Sequence, residues 1–119
     1  MRKGYIYYNN DFAGTLYESD DDFKFIYDDD YFNNKHSVAI SKTIPLTQKN
    51  HNYKELFPFM DGLIPEGHLL GIAISKWSLN QNDRMGLLLN TCEDCIGAVS
   101  VFKIKQKDAE RKSTNNEMP

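Results

Sequence analysis

A chain of 119 residues, 40% hydrophobic and 13% aromatic, fits one compact domain and supplies enough apolar material to close a core without disulfide staples. Fourteen basic residues against seventeen acidic ones give a net charge of -3, the wrong sign for neutralising phosphates, so direct binding to DNA or RNA is not expected. Two cysteines cannot frame a disulfide scaffold, the N-terminus lacks an apolar signal core, and no apolar run reaches the roughly 18 residues of a membrane span, so a soluble cytoplasmic protein is expected.

The charge is uneven along the chain. Residues 1–34 hold eight acids and three bases, whereas residues 35–119 hold nine acids and eleven bases. Tyr5, Ile6, Tyr7 and Tyr8 run into Asn9, Asn10 and Asp11 before Phe12 to Tyr17, which is two β-prone runs around turn-forming residues and therefore a hairpin. A third strand is expected at Phe23 to Tyr27 and a fourth at Ser37 to Ile40, joined as an antiparallel meander because the connections are too short for helical crossovers. The acidic clusters Asp20, Asp21, Asp22 and Asp28, Asp29, Asp30 flank the third strand as solvated turns. They lack the spaced Asp-x-Asp-x-Asp-Gly pattern of a calcium loop. Pro45 interrupts the ladder and opens a polar loop through Asn52.

From Tyr53 the period changes. Tyr53, Leu56, Phe57 and Met60 stand at i, i+3, i+4 and i+7, and Asn52 with Glu55 has the spacing of a capping box. Pro58 conflicts with a continuous helix there, so the helix either kinks or begins near Phe57 with Pro58 in its first turn. A second helix is expected from Pro65 to about Trp77, with Leu69, Ile72, Ala73 and Lys76 or Trp77 along one stripe. A third, capped by Asn82 or Asp83, runs through Leu89. After Gly97, Ala98 to Phe102 reads as a last strand returning to the sheet. The fold class that follows is α+β, an antiparallel sheet of about five strands with three short helices on one side. Phe57, Met60, Leu63, Leu69, Ile72 and Leu88 are the expected helical core. The folded unit spans residues 1–106, and 107–119 form a polar tail too poor in apolar side chains to order.

No catalytic constellation is complete. Phosphate-cradling Gly-rich loops, His-Glu-x-x-His, Gly-x-Ser-x-Gly and the kinase signatures are missing from the sequence, so an enzyme is not expected. Cys92 and Cys95 have the spacing of a zinc or redox pair, but His36, His51 and His68 offer no paired ligands at short spacing, and two acids between the thiols disfavour the thiolates. No metal or cofactor is expected.

Several separated motifs occur in one order: Tyr8-Asn9-Asn10 to Ala13-Gly14-Thr15-Leu16, Phe23 to Asp28, Ala39-Ile40-Ser41 to Ile44-Pro45-Leu46-Thr47, Phe57-Pro58-Phe59-Met60-Asp61-Gly62-Leu63-Ile64-Pro65-Glu66-Gly67, and Asp94-Cys95-Ile96-Gly97-Ala98-Val99. Over residues 5–102 this resembles the N-terminal subdomain of the HipA family of bacterial serine/threonine kinase toxins, and is similar to HipS antitoxins, its form in tripartite HipB, HipS and HipT modules. The resemblance implies an antitoxin that binds a HipT-like kinase where that kinase's missing subdomain would sit and suppresses its activity. It also implies a larger complex with a HipB-like helix-turn-helix protein, in which this chain does not itself touch DNA. A non-inhibitory subunit linking kinase and repressor is the alternative. Pro65, Glu66, Gly67, His68, Leu69 and Leu70, a turn and helix start projecting from the core, are the expected kinase interface. The fallback surface is Asp28, Asp29, Asp30, Tyr31 and Phe32. His68 departs from the resemblance, because stand-alone relatives often carry a bulky aromatic after Pro-Glu-Gly.

Overall fold

The computed structural model describes residues 2–65, 67–78, 80, 82–93 and 97–106, with the side chains of 67–69, 73 and 77 left out. In chain order it has β1 (Lys3–Tyr8), β2 (Asp11–Glu18), β3 (Phe23–Tyr27), α1 (Asp29–Asn33), β4 (Asn50–Tyr53), α2 (Pro58–Asp61), α3 (Gly67–Trp77), α4 (Arg84–Thr91) and β5 (Val99–Phe102). The strands form one antiparallel sheet in the order β4-β3-β2-β1-β5, so the last strand returns to pair with the first. Asn9 and Asn10 turn the first hairpin with φ of 48 and 75, the left-handed pair that a two-residue turn requires and that asparagine tolerates. A register shift between Ile6 and Tyr7 bulges this hairpin at Ala13.

Alternation along the strands divides the sheet into two faces. One carries Ile6, Leu16, Phe25, Val99 and Val101 into a core shared with Met60 of α2 and Met85, Leu87, Leu88 and Leu89 of α4. Glycine is needed where β2 meets β3, since a Cβ on Gly14 would lie 2.4 Å from the Ile26 carbonyl oxygen. The opposite face carries Tyr5, Tyr7, Phe12 and Phe102 as a packed aromatic group, with ring centroids 5.3 Å apart for Tyr7 with either phenylalanine. The end of the described chain lies across it: the Gln106 N–H donates to the Tyr7 hydroxyl at 2.8 Å, and Lys105 Nζ sits 4.5 Å from the centre of the Phe12 ring.

Three expectations are corrected. Residues 37–40 form no strand; the fourth strand is Asn50–Tyr53, where the sequence suggested a loop through Asn52 and the start of a helical period at Tyr53. The 34–49 segment instead packs irregularly over the sheet, because Ile40 and Ile44 enter the core and tyrosine hydroxyls satisfy their backbone. The Asn52 and Glu55 capping box does not form. Asn52 lies in β4 and donates to Asp22 at 2.9 Å, while α2 begins with Pro58 at its first position, the second of the two arrangements the proline allowed. Finally, the Asp28 to Asp30 cluster is more than a turn: Asp28 caps α1, with Asp29 and Asp30 in its first turn where the helix dipole favours carboxylates. The described residues thus hold four helices rather than three.

Candidate functional site

The expected interface covers the end of the connection after α2 and the start of α3. Its position is set by a short run of tight turns: the N–H groups of Gly62, Leu63 and Ile64 donate to the carbonyls of Pro58, Met60 and Asp61 at 3.0, 3.0 and 3.2 Å, which buries Ile64. Helix α4 holds this run at both ends. Arg84 Nε near its start donates to Asp61 Oδ1 at 2.6 Å, and the buried Cys92 thiol after its end donates to the Leu63 carbonyl at 3.4 Å. The start of α4 is itself tied to the sheet, since Asp83 accepts from Gly86 N–H as a cap and from Arg2, whose guanidinium also bonds Glu18. The bonds from Arg2 hold the Asp83 carboxyl below the ordinary carboxylate range and raise the Arg2 guanidinium still further above neutrality. A side chain at Gly86 would meet Asp83 Oδ2 at 2.4 Å, so this cap needs glycine beside it.

From this anchored platform α3 runs eleven residues and ends at Ser78, whose φ of 53 closes the helix in the left-handed region. Leu70 and Ile74, one turn apart, are half-buried against the core. Ile72 stands about 200° around the helix from Leu70 and so faces away from the core; it is 49% exposed. The expectation that Ile72 belongs to the core is therefore overturned, while Leu70 and Ile74 pack against it; the side chains of Leu69, Ala73 and Trp77, expected on the same stripe as Ile72, lie outside the described residues. Gly71, Ile72, Ser75 and Lys76 line a shallow open groove of about 430 Å³ on the outer side. Among the described residues nothing lies within 4 Å of a Cβ built on Gly71. The described residues give no packing reason for glycine in the middle of this helix, where it costs about 1 kcal/mol against alanine.

Of the six expected interface residues, Pro65 is half-buried and Leu70 leans inward on the core. Gly67, His68 and Leu69 form the first turn of α3, with the side chains of His68 and Leu69 outside the described residues, as is all of Glu66. Sequence reasoning missed the outer groove because it assigned Ile72 to the core; the i, i+4 pair Leu70 and Ile74 was the available signal. Phe57, Met60 and Leu88 are buried as expected, and Leu63 is partly so. The fallback surface is broken, since Tyr31 is buried and Phe32 packs against the core. Among the described residues no cluster of His, Cys, Asp or Glu could hold a metal ion; Cys95 lies outside them. His51 is buried with Nε2 at 3.0 Å from the carbonyls of both Pro45 and Gln48. No helix among the described residues is long and apolar enough to cross a membrane.

A five-stranded antiparallel sheet, helices covering one of its faces and an outward-facing groove on α3 define an α+β module. Residues 4–102 match the family model described as the HipA N-terminal domain, and the chain belongs to that family. It is 30% identical over 106 residues to an uncharacterized protein of Haemophilus influenzae, covering 89% of this chain and 96% of the relative. It is also similar to a solved structure of the N-terminal domain of HipA toxin, with a TM-score of 0.66 and 25% identity, covering 90% of this chain and 96% of that one. The chain is thus a HipA-related component and resembles the HipS-like form of this domain.

Proposed function

We propose that this chain is an antitoxin that binds and inhibits a cognate HipA-like serine/threonine kinase of the HipT type, occupying the place of that kinase's missing N-terminal subdomain. The observation that carries the reading is the near-complete match, in sequence family and in fold, to the N-terminal domain of HipA toxin. The reading places the chain in the cytoplasm, acting by binding rather than by catalysis. Its partners are the kinase and, in a larger complex, a HipB-like helix-turn-helix protein that makes the DNA contacts. The contact surface is the α2–α3 junction, Pro65 to Leu70, extended by the exposed groove of α3. There Gly71 lets a partner's backbone approach closely, and Ile72 offers an apolar anchor on a helix already fixed by α4.

Co-expression with the cognate kinase is the test. Rescue of growth, together with loss of kinase activity in the purified pair, supports the antitoxin. Stable binding without rescue or loss of activity would leave an assembly subunit. Ile72→Glu keeps the melting temperature and lowers kinase affinity at least tenfold if the groove is part of the interface. An unchanged affinity removes the groove from the contact.

A further inference from the structure

Residues 31–54 hold four lysines, Lys35, Lys42, Lys49 and Lys54, with His36 and His51, and no aspartate or glutamate, in a chain whose net charge is -3. Much of this stretch lacks regular structure, yet it is fixed. The Tyr27 hydroxyl accepts from Ile40 N–H at 3.1 Å and donates to the Ile44 carbonyl, the Tyr31 hydroxyl donates to the Val38 carbonyl at 2.7 Å, and His51 engages Pro45 and Gln48. Ile40 and Ile44 are buried beneath it. Lys49 is paired with Asp29, whereas Lys35, Lys42 and Lys54 are exposed and have no ion pair among the described residues. Val38, its carbonyl pinned by Tyr31, is 47% exposed.

We infer that this pinned loop is an electrostatic docking surface for a compact, carboxylate-rich patch on a protein partner, with Val38 as its apolar contact. On the functional reading above, from which the inference takes its partner, that protein is the kinase. A rigid loop with unpaired lysines at its surface raises the association rate by attracting carboxylates and loses little entropy on binding. A nucleic acid suits it less well. Phosphates recur along an extended strand, which would also run past the carboxylates of Asp28 to Asp30 that adjoin the loop at the Lys49 to Asp29 pair, whereas a compact acidic patch can seat on the Lys35 to Lys42 stretch.

The experiment measures association and dissociation rates between the purified chain and purified cognate kinase at about 20 and 300 mM salt, for the wild type, for Lys35→Glu/Lys42→Glu and for Val38→Asp, with melting temperatures confirming each fold. The wild-type association rate should fall at least tenfold from low to high salt. The double reversal should associate at least tenfold more slowly at low salt, with dissociation changed less than twofold. Val38→Asp should act mainly by faster dissociation. Failure of the wild type to bind the kinase defeats the functional reading and this inference with it. Binding whose association rate ignores both salt and charge reversal defeats the inference alone. Tight, salt-sensitive binding of the wild type to a 20-nucleotide single strand or duplex, abolished by the same reversal, would overturn it in favour of nucleic acid.

Discussion

The 34–49 loop and helix α3 distribute order and exposure in opposite ways. The loop has no repeating backbone ladder, yet it sends Ile40 and Ile44 into the core and has side chains of β3, α1 and β4 bonded to its carbonyls and N–H groups. Helix α3 satisfies its own backbone and turns Gly71, Ile72, Ser75 and Lys76 to solvent. Regular secondary structure is therefore a poor guide to what the fold depends on here. The loop is part of the folding core, and the outer side of the helix is a surface available for contact.

The comparison breaks most readily at its two isoleucines. Ile44 is fully buried, so Ile44→Ala should cost about 2–5 kcal/mol, whereas Ile72→Ala should lie within about 0.5 kcal/mol of the wild type. Urea unfolding of both variants checks this; equal losses would mean that the loop packs no more tightly than the helix surface.

Next in size is the tyrosine anchor. Burial pushes the Tyr27 phenol up from its ordinary pKa, so it stays neutral and keeps the proton it donates to the Ile44 carbonyl. Tyr27→Phe preserves the ring, which lies 4.9 Å from Phe25 and 6.0 Å from Tyr31 by centroid, and leaves the Ile40 N–H and the Ile44 carbonyl without that partner. The expected loss is about 1–3 kcal/mol, and amide exchange should accelerate first at Ile40. Uniform acceleration across the sheet would instead show the loop and sheet opening as one unit.

What the sequence disclosed follows the same division. β1, β2, β3, α4 and β5 were legible because aromatic and β-branched runs, asparagine turns and an Asp83 cap act locally. The fourth strand was not, because Asn50 and Asn52 disfavour strands and Tyr53 fitted a helical period with Leu56, Phe57 and Met60; the strand is set by pairing with β3 and by His51 reaching back to the loop. Ser37, Val38, Ala39 and Ile40 look more like a strand, but the tyrosine hydroxyls beside them take over the backbone bonds a ladder would have made. At the candidate site the start of α3 was legible from Pro65 and Gly67. Its facing was not, since a helix crowded with Leu69, Leu70, Ile72 and Ile74 offers more than one apolar stripe and only tertiary packing selects between them.

Gly71→Ala tests that selection with a smaller effect of opposite sign. With no described residue within 4 Å of a new Cβ, alanine should stabilise the free chain by about 0.5–1 kcal/mol through backbone entropy. If the groove is the kinase contact, the same change weakens binding while raising the melting temperature. A lowered melting temperature would show that Gly71 serves the fold.

The smallest effect belongs to the ion pair that steadies the platform under α3. The folded pKa of Asp83 is depressed by its bonds from Arg2, so its contribution to stability is fully present above the unfolded aspartate value near 4 and is lost as pH falls through the folded value. Asp22, lowered by bonds from Ser19 and Asn52, acts with the same sign in the same window. Asparagine caps helices about as well as aspartate, so Asp83→Asn removes the charge while keeping the bond from Gly86 N–H. Asp83 is 38% exposed and Arg2 42%, which screens the pair and limits the loss at neutral pH to a few tenths of a kcal/mol. That loss should shrink in high salt, and the variant and wild-type stability curves should converge below about pH 4, where the wild-type carboxylate is progressively protonated. A constant offset across pH would assign the effect to cap geometry. The platform beneath α3 would then rest on packing and the Arg84 to Asp61 bond rather than on the Arg2 bridge.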